Sequence, residues 1–413
     1  MNYRGRNKNL AILYVLSMAF ACNTLYGNIQ LSYKPQIIVG LIWIILGLCL
    51  RIYTNRQMDK DLCFFLKLYL TPHIVIHVYT IFLIILGKVP IQYFTTNLKV
   101  YVPTILAIVS IYIFGNKAFY YNIYSVILSW FVSVFVSLIS KGPLIIPHAI
   151  LEGWLNIISF AGIERNYFEL HDIVLSVGFL LCFYLFSREK LSLKNLKIIL
   201  LVLLIMILGV KKIAILGVLI AVFFYILIKK YSENKKYIIC IFAGVAIIIF
   251  SYIYIYIMMD DRLVSWLLSV GIDPRGRQYY YQALLSLVEF SPTFIGLGRN
   301  SVAHIFSTQL SYLKVAGVHS DIIKMYVESG FIMFSFWLFY NCIYILSRYK
   351  KKFGNKAAVI YFSILIYLFS LYFTDNVENY FVSQVLSITI PLTYALNAKE
   401  TIKNKIPEKY CAI

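Results

Sequence analysis

The segment 317–330 reads GVHSDIIKMYVESG and carries the densest group of residues able to do chemistry. Asp321, Lys324 and Glu328 stand at i, i+3 and i+7, so a helix places all three on one face. His319 and Ser320 come just before them, where a helix cap is expected. An imidazole takes a proton near neutral pH, and a nearby carboxylate sets its tautomer, so His319, Asp321 and Glu328 are candidate general bases. The competing reading is a capped helix start followed by an internal Asp–Lys–Glu ion ladder. Ionised groups in an apolar helix are costly, about 2.5–3.5 kcal/mol each on the mildest scale, and this weighs toward a cavity or a partner.

A second group is basic. Arg165 lies in the stretch 140–172; Arg262, Arg275, Arg277 and Arg299 lie in 259–321; Lys211 and Lys212 form a tight turn between two apolar runs. Guanidinium groups grip phosphate oxygens bidentately and ammonium groups add point charge. Together they suit an anionic head group; singly, each is more readily explained by snorkelling to lipid phosphate or pairing with acids. For Arg277 and Lys212 we favour the substrate role. Weaker signals are His171, in the run ERNYFELHD, and Asp375, in the turn with Asn376 and Glu378. His73 and His77 are one helical turn apart, but no third ligand accompanies them, so buried hydrogen-bonded histidines are expected rather than a metal site. No cofactor motif is present: there is no P-loop, HExxH or GxGxxG.

These residues need a scaffold, and composition says which kind. The 413 residues are 61% hydrophobic and only 14% charged, with a mean hydropathy of +0.78. A soluble domain carries about 25% charge and could not hide this much apolar surface. The apolar residues fall in runs that match a bilayer core of roughly 30 Å at about 1.5 Å per residue. Spans are expected near 10–27, 36–50, 63–87, 101–115, 118–139, 173–187, 197–210, 213–228, 237–258, 322–347, 357–374 and 380–397. The fold class is therefore all-α: a polytopic membrane protein with about twelve transmembrane helices, residues 1–413 forming one membrane domain. No small-residue cleavage site follows the first run, so it is expected to remain as a span. The seven cysteines are scattered and suit apolar packing.

That threading explains the net charge of +20. One side receives 24 bases against six acids, the other 12 against 11. The excess sits in short loops and tails, the positive-inside pattern, so both termini are expected in the cytoplasm. Charge placed this way orients the protein toward anionic lipid and gives no reason to invoke nucleic acid. Two long connections, 140–172 and 259–321, then fall on the extracytoplasmic face, where short surface helices are expected.

In order along the chain, these residues resemble the oligosaccharide repeat-unit polymerases of capsule, exopolysaccharide and O-antigen synthesis (Wzy-type), with the related O-antigen ligases. Arg165 with His171 resembles the family's Arg…His-Pro-Asn segment, with Asp172 following the histidine here. Gly209-Val210-Lys211-Lys212 resembles its basic turn. Gly276-Arg277 followed by Gly296-Leu297-Gly298 resembles its Gly-Arg…Gly-x-Gly loop. His319-Ser320-Asp321 with Glu328-Ser329-Gly330 resembles its His-Asn-Asp…Glu-x-Gly segment, and Asp375-Asn376 its last polar turn. The resemblance implies a GT-C-like fold and an inverting, metal-independent glycosyltransferase in the cytoplasmic membrane of a bacterium. Polyprenyl-diphosphate-linked glycan would be both donor and acceptor, and a flippase and a chain-length regulator would be partners. It implies a diphosphate-binding set of Arg165, Lys212, Arg275, Arg277 and Arg299, with His319, Asp321 or Glu328 as base and His171 and Asp375 near the cavity. The alternatives are an O-antigen ligase or a lipid-linked oligosaccharide transporter; the absence of an internal repeat weighs against a transporter.

Overall fold

The computed structural model describes residues 8–22, 25–26, 29–30, 34–55, 57–93, 98–148, 150–151, 155, 171–187, 193–209, 211–260, 262–270, 277–313 and 318–405. Among them the regular elements are helices, apart from a two-residue ladder that pairs Leu25–Tyr26 with Ile29–Gln30. The helices are α1 (Lys8–Ala21), α2 (Lys34–Tyr53), α3 (Lys60–Ile85), α4 (Leu98–Phe114), α5 (Lys117–Lys141), α6 (His171–Ser187), α7 (Leu193–Gly209), α8 (Lys212–Lys229) and α9 (Glu233–Met259). Three short ones follow: α10 (Arg262–Ser269), α11 (Arg277–Leu285) and α12 (Ser301–Thr308). The last are α13 (Asp321–Phe339), α14 (Ile345–Phe353), α15 (Asn355–Tyr372) and α16 (Phe381–Lys405), with a π-helical segment, Tyr340–Tyr344, joining α13 to α14.

The expected apolar segments overlap helices, but 10–27 outruns α1, which ends at Ala21 before the strand Leu25–Tyr26, and 322–347 is divided among α13, the π-helical segment and α14. Eight helices among the described residues have the length and hydropathy to cross a membrane. Four others, Lys8–Ala21, Val100–Phe114, Asp172–Phe186 and Leu196–Gly209, are apolar but only 10–17 residues long. At about 1.5 Å per residue they fall short of a 30 Å core unless the bilayer thins or polar ends snorkel. The apolar helices fit a membrane protein, because only helices and closed barrels satisfy every backbone polar group inside lipid. The connection 259–321 carries α10, α11 and α12. Of the connection 140–172, residues 149, 152–154 and 156–170 lie outside the described residues.

Burial sorts the bundle into a centre and a periphery. The span windows of α15 and α16 are 78% buried, whereas that of α2 is 22% buried and those of α8 and α9 are 28% buried. The peripheral helices leave Ile42, Ile45, Leu219, Phe223 and Phe242 exposed. In water this would be an aggregation surface; against lipid it carries no penalty. Close packing at the centre uses small residues. A Cβ on Gly178 of α6 would overlap the Tyr367 ring of α15, whose hydroxyl donates to the Leu175 carbonyl at 2.9 Å. Asp172, at the head of α6, accepts from the Ser176 hydroxyl of its own helix at 3.4 Å. Its carboxylate accepts from the backbone N–H groups of Val382 (3.2 Å) and Ser383 (3.0 Å), capping α16 across the bundle.

Candidate functional site

Helix α13 begins as its sequence predicts. Ser320 is extended, and its hydroxyl accepts from the Ile323 N–H at 3.3 Å. Nine residues in, the helix breaks. Gly330 has φ 72° and ψ 177°, which ends the i→i−4 ladder. The segment 294–298 of the long connection fills the break: Leu297 N–H donates to the Val327 carbonyl, Gly298 N–H to the Glu328 carbonyl, and Phe331 N–H to the Phe294 carbonyl, each at 2.9 Å. Carbonyls orphaned by the break are thereby satisfied. The backbones approach so closely that a Cβ on Gly296 would lie 2.5 Å from the Gly330 nitrogen, and one on Gly330 would lie 2.5 Å from the Gly296 nitrogen. Both residues also have positive φ, so glycine is required twice over.

This contact delivers Arg299, one residue past Gly298, into the protein interior. Its Nη1 pairs with Glu328 Oε2 at 3.0 Å, its Nη2 with Glu378 Oε1, and its backbone N–H donates to Thr80 Oγ1 at 3.1 Å. Lys324 Nζ reaches Glu378 Oε2 at 2.7 Å. The Glu378 backbone N–H donates to Asp321 Oδ2 at 2.8 Å, and the Asp321 N–H to the Asp375 carbonyl at 3.2 Å. Asp375 pairs with Lys211 at 2.7 Å and accepts from the Tyr380 hydroxyl at 2.8 Å. The charges are out of solvent: Arg299 is 3% exposed, Glu328 0%, Asp321 1% and Glu378 6%. Burial alone would push the Glu378 carboxyl up; the Arg299 and Lys324 cations overcome it and hold that carboxyl well below the usual range. Burial likewise opposes the Arg299 charge, and Glu378 and Glu328 more than restore it.

The ion ladder within α13 is therefore not what forms. Asp321, Lys324 and Glu328 do share a face, but Lys324 pairs with Glu378 and Glu328 with Arg299, both from other segments. Beside the cluster lies a cavity of about 50 Å³ walled by α3, α4, α13, α15 and α16 and by the 377–379 turn. Asp321, Glu378, His73, Thr104, Asn341 and Gln384 contribute to its polar lining.

Of the residues expected from sequence, the structure brings Asp321, Glu328, Arg299 and Asp375 into one linked cluster. His319 is half-buried at the head of α13; its carbonyl accepts from the Tyr281 hydroxyl at 3.0 Å, and its ring centre lies 6.3 Å from that of Tyr280. Lys212 opens α8 and is half-buried, while its neighbour Lys211 makes the pair with Asp375. Arg277 and His171 are the first residues of α11 and α6. Arg165 and Arg275, and the side chains of Arg277 and His171, lie outside the described residues. Arg299 departs most from expectation, with both terminal nitrogens directed at acids. His77 is half-buried rather than buried, and it is hydrogen-bonded to the Tyr101 hydroxyl at 2.8 Å. No group of three metal-ligating side chains occurs among the described residues.

Glu378 is the residue that sequence reasoning undervalued. It sits in a recognisable polar turn, but nothing local signals that it would join Arg299, Lys324 and Asp321. Compared with models of known protein families and with curated proteins, the sequence finds no match.

Proposed function

We propose that the chain is a polymerase of polyprenyl-diphosphate-linked oligosaccharide repeat units, acting at the outer face of a bacterial cytoplasmic membrane through about twelve spans of a GT-C-like bundle. The observation that carries this reading is the interlock of Gly296-Leu297-Gly298 with Glu328-Ser329-Gly330. Two motifs that resemble the polymerase family separately meet as one unit, next to the long connection and at the opposite end of α3 from the basic residues Lys352 and Lys399.

In this reading His319, half-buried at the head of α13, accepts the proton of the acceptor hydroxyl. The acceptor oxygen forms its bond to the anomeric carbon as the bond to the lipid diphosphate breaks on the opposite face, which inverts the centre. Arg165, Lys212, Arg275 and Arg277 stabilise the departing diphosphate. Arg299 acts as a positioning residue that holds Glu328 and Glu378, and through them the head of α13.

Deleting the gene and analysing lipid-linked glycans tests the reading: single repeat units should accumulate on the outer leaflet. His319→Ala should lower chain elongation by about 10²–10⁴-fold, the usual worth of a general base, without lowering protein level. If His319→Ala and Arg277→Ala both leave polymer length and amount unchanged at matched protein levels, the site assignment is wrong. A ligase would instead leave polymer made but not transferred to a lipid A core. The cavity within the bundle, with Asp321, Glu378 and His73 in its wall, favours a transporter as the second reading; deletion would then trap repeat units on the inner leaflet.

A further inference from the structure

Two turns far apart in sequence lie side by side at the basic end of the bundle. One joins α8 to α9 and the other joins α14 to α15. Asn355 Nδ2 donates to Asn234 Oδ1 at 2.5 Å, and Lys350 Nζ of α14 lies 4.0 Å from the ring centre of Tyr237 in α9. The two turns carry Lys229, Lys230, Lys235, Lys350, Lys351 and Lys356, all exposed. Lys236 and Lys352 beside them are paired with Glu233 and Asp61. Among the described residues, none of the six exposed lysines pairs with an acid.

Helix ends account for part of this charge. Lys229 ends α8, and Lys350 and Lys351 stand in the last turn of α14, where a cation complements the helix dipole. Lys235 and Lys356 stand in the first turns of α9 and α15, where the dipole opposes a cation. The positive-inside pattern requires an excess of bases on one face of the membrane, not their convergence on one seam, and like charges gathered by folding repel.

The surface that adjoins the seam is apolar. Helices α8 and α9 both have the length and hydropathy to cross a membrane, and beyond the lysines they expose Phe223 and Ile226 of α8 and Ile238 and Phe242 of α9. Joined by a short turn, they could pack on one another as a hairpin; instead each packs mainly along α15. The Phe224 ring of α8 lies 5.7 Å from that of Phe362 in α15, and Gly244 of α9 faces the same Phe362 ring.

We propose that this seam binds the head-group phosphate of an anionic phospholipid, with the acyl chains along the exposed faces of α8 and α9. Ammonium groups offer phosphate several donors and point charges, and basic recesses between membrane helices suit such head groups. The adjoining apolar faces select a phosphate that carries acyl chains over a soluble one. The seam is at the Lys352 end of the bundle, opposite the Arg299 cluster, and it requires no glycosyl transfer, so its test is independent of the polymerase reading.

The test is thermal unfolding of the purified full-length chain in neutral detergent, with phosphatidylglycerol or phosphatidylcholine of the same acyl chains added, or sodium phosphate at matched ionic strength. Phosphatidylglycerol should raise the midpoint progressively, and the other two should not. The triple variant Lys235→Gln, Lys351→Gln, Lys356→Gln changes only exposed side chains; it should weaken the apparent affinity for phosphatidylglycerol by about tenfold or more. The control removes equal charge with Lys8→Gln, Arg51→Gln and Lys117→Gln, on α1, α2 and α5, which pack mainly against one another and α4. It should respond as the wild type does, because charge beyond a Debye length of about 8 Å at physiological salt is screened. The proposal is overturned if phosphatidylcholine or free phosphate stabilises as well as phosphatidylglycerol, if no lipid stabilises, or if the two triple variants lose affinity equally or not at all.

Discussion

Two ion clusters tie the bundle together at opposite ends of α3, and they are built differently. At one end Asp61 accepts from Lys352 of α14 at 2.9 Å and from Lys399 of α16 at 2.6 Å. Its lysines are wet, with side chains 23% and 40% exposed. At the other end, where Arg299 follows the Thr80 contact, every member is buried and each terminal nitrogen of the arginine has its own carboxylate. Both clusters join three or more segments. In water-rich surroundings such a pair contributes about 0–1 kcal/mol, whereas removing one member of a buried pair costs about 3–5 kcal/mol because the other is left uncompensated. The first cluster is therefore a fastening that the fold can lose. The second fixes geometry, and the candidate site is built on it.

The comparison is broken most severely at Arg299. Arg299→Ala leaves Glu328 without its cation and Glu378 with Lys324 alone, and a loss of about 3–5 kcal/mol is expected, read as a lower thermal midpoint and a lower yield of monodisperse protein. If Arg299→Ala is no worse than a change at Asp61, the distinction between the clusters fails.

Next comes the backbone that delivers the arginine. Gly330→Ala places a Cβ against the 294–298 segment at positive φ and should cost about 1–3 kcal/mol in strain alone, plus the displaced loop contacts. Proteolysis near residues 294–298 should accelerate in this variant. An unchanged digestion pattern would mean that the interlock does not hold Arg299 in place.

The third difference is in acid. Glu378 ionises more readily in the folded protein than in the unfolded chain. It therefore favours the fold at neutral pH. That contribution declines once pH drops below the unfolded carboxylate value of about 4.3 and is lost as pH passes the lower folded value. Glu378→Gln should be less stable at neutral pH and should lose this part of the acid dependence in midpoint-against-pH curves.

The smallest effect is expected at the wet cluster. Asp61→Asn should cost no more than about 1 kcal/mol, and high salt should erase the difference from wild type. A large, salt-resistant loss there would make the two ends alike after all.

Much of this could be read from the chain, and where reading stopped is informative. The apolar runs predict helices because lipid or a dry core offers no other partner for backbone N–H and C=O groups, so local hydropathy is sufficient information. The cap at Ser320 and the shared face of Asp321, Lys324 and Glu328 are likewise local, following from helical periodicity over a few residues. The choice of partners is not local. Arg299 finds Glu328 and Glu378, and Gly296 finds Gly330, across distances in sequence that no periodicity encodes. Asp172 caps α16 across the bundle for the same reason. Charge type and helix position are properties of a residue and its neighbours. Which buried charge meets which depends on how the helices pack, and that was decided only in three dimensions.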